Sequence, residues 1–160
     1  MLTLEDFIPY ILTDEIIKQA EKNKVEKNPE SFSNGEGSIY GEIAEIVFGR
    51  VFKQYKRENT PDYDFIHRDT GTTVDVKGKH IADYPLIDFD ASIPKRPKGN
   101  KRDLTYNCDY FVFARVRKSL DVCWLIGMIQ RKRFFENAIF DPDRPQPCYQ
   151  MKYYDLLPLP

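Results

Sequence analysis

The segment Asp75-Val76-Lys77 places a carboxylate and an ammonium group two residues apart. The residues around it alternate between polar and apolar types, as in a β-strand, and such a strand directs Asp75 and Lys77 to one face. Val74 and Val76 would pack on the opposite face. A carboxylate can hold a divalent metal ion, and an amine beside it can orient an attacking water or stabilise developing negative charge. The segment therefore predicts a site for hydrolysis.

A second carboxylate is expected next to the first, because this segment forms one half of a predicted β-hairpin. Residues 62–66 and 72–77 both follow the two-residue period of strands and are joined by a polar turn. In that hairpin the residue opposite Asp75 is Tyr63 or Asp64. Adjacent carboxylates repel each other, and a divalent cation relieves the repulsion. Hard oxygen ligands suit Mg²⁺ or Mn²⁺, which keep several waters and accept phosphate oxygens.

A helix is predicted before the hairpin, from Ser38 to about Lys56. Apolar residues lie around most of its circumference, so we expect it to be buried. One polar stripe interrupts them, formed by Glu42, Glu45, Gly49 and Lys53. Either glutamate could supply a third carboxylate, although for Glu45 an ordinary place on the helix surface is the favoured interpretation.

These segments resemble the PD-(D/E)XK nuclease superfamily. Its hairpin carries an acidic residue, a turn, and then an acidic residue, any residue and lysine. Here Pro61-Asp62-Tyr63-Asp64 matches the first part and Asp75-Val76-Lys77 the second, while Gly41-Glu42 matches the glutamate of the preceding helix. Small phage-type nucleases of this group come especially close. The resemblance covers about residues 38–129 and implies an α/β fold with a restriction-endonuclease-like core, a mixed central sheet flanked by helices.

The resemblance also implies a role for each residue in hydrolysing DNA phosphodiester bonds. Asp64 and Asp75 would bind Mg²⁺ or Mn²⁺ together with the Val76 carbonyl, Glu42 would complete or support the site, and Lys77 would be catalytic. Glu45 is an alternative to Glu42. Asp62 is an alternative ligand if Pro61-Asp62 is matched literally, but hairpin pairing favours Asp64.

Contact with DNA is expected from local basic residues, because the chain as a whole has a formal net charge of -1. The candidates are a lysine close to the acidic triplet and a basic run in a proline-containing loop, namely Lys79, Lys95, Arg96, Lys98, Lys101 and Arg102. Such a run would contact the phosphate backbone without reading bases. Arg131, Lys132 and Arg133 form a weaker second candidate.

The remaining chain is assigned by the same periodicities. We predict helices near residues 3–12 and 13–27, a polar loop over 28–37, a long loop over 83–107, strands over 110–116 and 122–129, a short helix near 131–138 and a last strand near 149–156. His67 and His80 are expected to be turn or loop residues.

Composition sets the class of protein. A chain of 160 residues with 41% hydrophobic content fits a single domain. Its cysteines number three and lack a CxxC spacing, no secretory leader is recognisable, and no apolar run approaches the ~20 residues that span a bilayer. We therefore expect an intracellular, cytoplasmic protein that does not interact with membranes.

The sequence leaves several alternatives open. A catalytically inactive nucleic-acid-binding module of the same fold, and an interaction protein that uses the basic loop to bind a protein or RNA, both fit the residues. Within the nuclease hypothesis, an endonuclease is favoured over an exonuclease or a junction resolvase. Short nucleases of this type often need a second subunit to cut both strands, so a homodimer is a partner to consider.

Overall fold

A computed structural model of the chain describes residues 1–27, 36–95 and 106–160. In chain order its elements are β1 (Ile8–Ile11), α1 (Asp14–Lys27), α2 (Glu36–Val51), β2 (Tyr55–Arg57), β3 (Phe65–His67), β4 (Thr73–Ile81), β5 (Asp90–Pro94), β6 (Tyr110–Arg117), β7 (Val122–Gln130), α3 (Arg131–Asn137), β8 (Ile139–Asp141) and β9 (Cys148–Lys152).

The described strands form a six-stranded sheet and a smaller three-stranded sheet. The large sheet has the order β1-β7-β6-β4-β3-β2, and the small one β5-β9-β8. Strands β4 and β6 run parallel, whereas the other neighbours are antiparallel. The large sheet is therefore mixed and the fold is α/β, as expected. The finer assignment to a restriction-endonuclease-like core stays a prediction.

Helices α1 and α2 cover one face of the large sheet, and α2 lies directly on β4. The helix approaches the strand closely at Gly78. A Cβ atom at this position would lie 2.5 Å from the Cβ of Ala44 and 2.8 Å from the carbonyl oxygen of Tyr40. Val74 and Val76 belong to the same apolar layer, so alternate residues of β4 pack against the helix.

The opposite face of the large sheet is covered by α3 and the small sheet. Phe111 and Phe113 of β6 pack there against Phe134 of α3, with ring centroids 5.7 and 5.9 Å away. Ile93 of β5 and Met151 of β9 complete this second apolar layer. Because residues alternate along β4, Asp75 and Lys77 belong to this face rather than to the helical one.

The helix predicted over residues 3–12 is wrong. A single 3₁₀ turn, Leu4–Asp6, is followed by the strand β1, which pairs with β7. Pro9 explains the difference, because proline lacks the N–H that a helix interior requires but is tolerated on an edge strand. The prediction of α1 over 13–27 is confirmed.

Two other boundaries differ from the sequence prediction. Helix α2 ends at Val51 instead of Lys56, and the following residues form the short strand β2. The loop predicted over 83–107 contains β5, which pairs with β9 near the end of the chain. The loop predicted over 28–37 lies outside the described residues up to position 35.

The hairpin, the two later strands and the short helix are confirmed as β3–β4, β6, β7 and α3. The last strand begins as predicted but ends at Lys152, where a 3₁₀ turn follows. Cys108, Cys123 and Cys148 are free and buried. Among the described helices, each is too short or too polar to cross a membrane.

The close approach at Gly78 can be tested by replacing it with alanine. The added Cβ would force β4 and α2 apart, so we expect the free energy of unfolding in urea to fall by about 1–3 kcal/mol. Gly41→Ala is the control, because a Cβ there meets nothing within 4 Å. Alanine should instead stabilise that helical position by about 0.5–1 kcal/mol. Equal stability of the Gly78→Ala protein and the parent would contradict tight packing at this point.

Candidate active site at the hairpin

The hairpin brings Asp64 beside Asp75. Phe65 pairs with Val74, so Asp64 comes next to Asp75 at the neighbouring position of the register. The backbone N–H of Asp64 donates to the carbonyl oxygen of Val74 at 2.9 Å. The Asp64 carboxylate in turn accepts a hydrogen bond from the Val76 N–H, with Oδ2 2.8 Å from the nitrogen. The carboxylate is thus held against the backbone of the acidic triplet.

Asp75 and Lys77 form an ion pair on this face of the sheet. Asp75 is 7% exposed, and its Oδ2 lies 2.8 Å from the Lys77 Nζ. The same ammonium lies 5.0 Å from the ring centroid of Tyr106, a favourable cation–π distance. Burial lowers the pKa of Lys77, but Asp75, Tyr106 and Asp64 raise it more strongly, so the pKa lies above its ordinary value. Lys77 is therefore a fixed positive charge in the metal-free protein.

Asp64 experiences an excess of negative charge. Burial, together with the neighbouring charges of Glu45 and Asp75, raises its pKa to about 9. The Val76 N–H and Lys77 act in the opposite direction without balancing these effects. A carboxylate in such surroundings takes up a proton at neutral pH or requires an additional cation. The described residues thus create a demand for positive charge at Asp64.

The two glutamates of α2 are joined by Arg57 of β2. Its guanidinium donates short hydrogen bonds to both Glu42 and Glu45. Glu42 is 5% exposed and also accepts a hydrogen bond from Asn23 Nδ2 at 2.8 Å. Burial lowers the pKa of Arg57, whereas the charges of Glu45 and Glu42 raise it. The net result is a pKa above its ordinary value.

Glu45 is a helix glutamate whose charge raises the pKa of Asp64. Its side chain is only 14% exposed, so the expectation of an ordinary surface residue is wrong. Position explains this, since Glu45 lies on the polar stripe that turns toward β2 and the start of the hairpin. Glu42 remains one turn away, between Asn23 and Arg57.

The donor set fits a small hard cation. Mg²⁺ is commonly bound by one or two carboxylates and several waters, and Asp64, Asp75 and the Val76 carbonyl are donors of this kind. Within the described ranges, however, no three His, Cys, Asp or Glu side chains converge as a metal cluster. Arg57 holds the glutamates and Lys77 holds Asp75. These two internal cations thus pair with Glu42, Glu45 and Asp75 in this arrangement.

The other predicted site residues contact groups outside this cluster. Asp62 accepts a hydrogen bond from Asn107 Nδ2 at 3.2 Å. Lys79 lies farther along β4 and donates to Ser92. Lys95 is exposed, with its Nζ 5.2 Å from the Phe140 ring centroid. The remaining basic candidates fall outside the described residues, namely Arg96, Lys98, Lys101 and Arg102.

The contacts described for the two histidines lie at the hairpin turn and against α2. His67 sits at the hairpin turn, where its Nδ1 accepts the N–H groups of Asp69 and Thr70 at 3.2 Å each. The His80 ring packs 5.2 Å from that of Tyr40. Both histidines are thus strand residues instead of the expected turn or loop residues, since His67 is the last residue of β3 and His80 lies in β4.

Two residues of the site were not found from the sequence. Arg57 belongs to a three-residue strand that is too short to show a period, and it directly follows the helix predicted to about Lys56. Tyr106 follows the basic run and has no pattern of its own. Its hydroxyl donates to the Pro94 carbonyl at 2.7 Å, which fixes the ring beside Lys77. A clustering of aromatic residues at positions 106–113 was the available signal.

A scan against protein-family models finds no match for this chain, and a search of curated proteins finds none either. The resemblance to PD-(D/E)XK nucleases therefore depends on the residue pattern, and the chemistry of the site must be argued from its geometry.

The elevated pKa of Asp64 makes a prediction about stability. Since the folded pKa, about 9, exceeds the ordinary 3.8, the stability contributed by the protonated carboxyl is complete below pH 3.8 and is lost as the pH rises through about 9. Asp64→Asn cannot ionise and can still accept the Val76 hydrogen bond. We expect the metal-free Asp64→Asn protein to melt several degrees higher than the parent at pH 8. In a domain of this size each kcal/mol of stability raises the melting temperature by about 2–4 °C.

Thermal melting from pH 5 to pH 9 provides the measurement. The difference in melting temperature between Asp64→Asn and the parent should widen as the pH increases. Asp62→Asn is the matched control, because Asp62 lies two residues earlier on the same segment, and it should leave the pH dependence unchanged. A difference that stays constant across this range would contradict the buried negative charge at Asp64.

Proposed function

We propose that this protein is a Mg²⁺- or Mn²⁺-dependent deoxyribonuclease that hydrolyses phosphodiester bonds, as an endonuclease. The observation that carries the proposal is the convergence of charges on Asp64, a buried carboxylate acted on by Glu45 and Asp75 with the Lys77 ammonium alongside. Such a concentration of carboxylates beside an amine suits metal-assisted attack of water on phosphorus.

Each residue has a distinct proposed task. Asp64, Asp75 and the Val76 carbonyl hold the ion, and Glu45, with Glu42 as the alternative, supports it from α2. When bound, the ion supplies Lewis acidity to a phosphate oxygen and favours ionisation of water. Lys77 stabilises the charge that develops on the phosphate or orients the water. The Asp75 ion pair at 2.8 Å and the Tyr106 ring fix the ammonium for this purpose.

An alternative is a nucleic-acid-binding module of the same fold that does not cleave. The observation that favours it is Arg57, whose guanidinium bonds both Glu42 and Glu45 and thereby engages two carboxylates internally. In the nuclease, Glu45 would exchange this arginine for the ion. The alternative and the proposal therefore differ in whether the site takes up a metal.

Cleavage of supercoiled plasmid and of branched DNA with Mg²⁺ or Mn²⁺ tests the proposal. We expect the parent to cut, and Asp75→Asn and Lys77→Met to reduce the rate at least 100-fold, as loss of a charge-stabilising group does in other hydrolases. Asp69→Asn and Lys56→Met are the controls. They change the same residue types at exposed positions on the neighbouring turn and strand, and should retain the parent rate.

The outcomes separate the alternatives. DNA binding without cleavage by the parent, with either ion, would favour the binding module. Cleavage that persists in Asp75→Asn would contradict the assigned site. An RNA strand of the same sequence tests the choice of substrate. Sedimentation of the parent with and without DNA tests the expected homodimer.

Metal binding supplies an independent measurement. Mn²⁺ or Mg²⁺ should raise the melting temperature of the parent, because a ligand that binds only the folded state stabilises it. The increase should be lost in Asp75→Asn and kept in Asp69→Asn. An equal increase in all three proteins would exclude Asp75 as a ligand.

A further inference from the structure

A cleft of about 760 Å³ lies beside the later part of β4. The pairing of β3 with β4 covers the beginning of β4 and does not extend to its later residues. The cleft lies beside these later residues, between α2 and the small sheet. Among the described residues, its lining contains more basic than acidic side chains. The basic ones are Lys79, Arg115, Arg144 and Lys152, and the acidic ones are Asp88 and Asp90.

Two of these cations are held by neutral oxygens. Lys79 Nζ donates to the hydroxyl of Ser92, which is 3% exposed. Arg115 donates to the Tyr153 hydroxyl and to the backbone carbonyls of His80, at 3.3 Å, and Asp90, at 2.9 Å. These contacts position the two cations without neutralising them.

The acidic side chain of Asp90, which also lines the cleft, is already engaged by other cations. The carboxylate of Asp90 lies 2.8 Å from the Lys152 Nζ and 3.8 Å from the Arg144 guanidinium. Arg144 also pairs with Asp141 at 3.2 Å. The carboxylates described in this part of the chain therefore compensate Arg144 and Lys152, and the positive charge at Lys79 and Arg115 is left in excess.

The electrostatics of Lys79 agree with this geometry. Burial and the neighbouring charges of Arg115 and Arg144 lower the pKa of Lys79. This is the reverse of the situation at Asp64, where burial and negative charges raise a carboxyl pKa. An anion in the cleft would relieve the repulsion among the cations, and a phosphate offers several acceptor oxygens to lysine, arginine and serine at once.

The cleft is aligned with the candidate active site. Asp75, Lys77 and Lys79 alternate along β4 and share one face, so Lys79 lies about 13 Å from Asp75 at the usual rise of a strand. Consecutive nucleotides of a stacked strand advance about 3.4 Å along the helix axis. A strand whose scissile bond lies at Asp75 would thus present another phosphate to the cleft about four nucleotides away or fewer.

We propose that this cleft binds a phosphate group of the nucleic-acid strand whose scissile bond lies at Asp75, with Lys79 and Arg115 as its principal ligands. The inference rests on the proposed nuclease function for the identity of the ligand. Phosphate at a strand end and phosphate within the strand share the same chemistry, and the experiment distinguishes them.

The test measures binding of metal-free protein to fluorescent single-stranded DNA by anisotropy. Three oligonucleotides of one sequence carry a 5′-phosphate, a 3′-phosphate or hydroxyls at both ends. We expect Lys79→Gln to weaken binding about ten-fold, since a hydrogen bond to a charged group is lost. The slope of log affinity against log salt should decrease in magnitude by about 0.7. Glutamine can still reach Ser92, which limits damage to the fold.

Two further variants make the result specific. Lys118→Gln is the control, because Lys118 is an exposed lysine on the turn between β6 and β7, and it should bind like the parent. Arg144→Gln is a second cleft variant whose side chain is 43% exposed, and it should weaken binding about three-fold, a loss typical of an exposed charge pair. If thermal melting shows that Lys79→Gln folds poorly, the affinity of Arg144→Gln tests the proposal instead.

The pattern among the oligonucleotides identifies the phosphate. Tighter binding of one phosphorylated end, lost in Lys79→Gln, supports recognition of a strand end. Equal binding of the three oligonucleotides, weakened together by Lys79→Gln, supports an internal phosphate. Unchanged affinity and salt slope in both cleft variants would overturn the proposal.

Binding of inorganic phosphate tests the cleft independently of the nuclease function. It should raise the melting temperature of the metal-free parent and of Asp75→Asn, but raise that of Lys79→Gln less. If phosphate and DNA bind in this way while the parent cuts no DNA, hydrolysis fails and the phosphate site stands. If the parent cuts DNA and neither cleft variant alters binding of phosphate or DNA, the phosphate site fails and hydrolysis stands.

Discussion

Burial of like charges at the start of the hairpin is the constraint on which the site depends. Asp64 is held next to Asp75 because Phe65 pairs with Val74, and both of these apolar residues are locked in the core beneath α2. A slip of one residue in this register would turn Asp75 toward the helix and Val74 toward the site. Apolar packing thus imposes the burial, and with it the repulsion from Glu45 and Asp75, that raises the pKa of Asp64, while Lys77 lowers it.

Strand β4 has two functions that alternate along its length. Val74, Val76 and Gly78 face α2, where the absent side chain of Gly78 admits the helix. Asp75 and Lys77 face the other way, followed by Lys79. The charge on this face changes from negative to positive along the strand, so that carboxylates collect at the hairpin and cations in the cleft. One strand therefore positions the helix that carries Glu45 and also separates two regions of opposite charge.

Sequence periodicity revealed the elements whose partners are near in the chain. The β3–β4 hairpin and the β6–β7 pair were predicted correctly because each has its turn and its alternation in one continuous segment. Strands β1 and β5 were missed, since their existence depends on pairing with distant β7 and β9. The pairing of Glu45 with Arg57 was missed for the same reason. Their contact joins a helix to an edge strand, and no local pattern records it.

The internal ion pairs compensate the buried carboxylates of the site unequally. Removing a charge from water is costly, and the attraction between buried partners repays that cost only when their geometry and hydrogen bonds are good. Glu42 has such support from Arg57 and Asn23. In the described part of the chain the Asp64 carboxyl accepts one hydrogen bond, from the Val76 N–H, and burial and neighbouring negative charges raise its pKa. Apolar side chains of similar size would fill the core with a smaller loss of hydration free energy. In the metal-free protein Asp64 can therefore stay protonated at neutral pH, and in the proposed nuclease the cation would take the place of that proton beside the ordered ammonium.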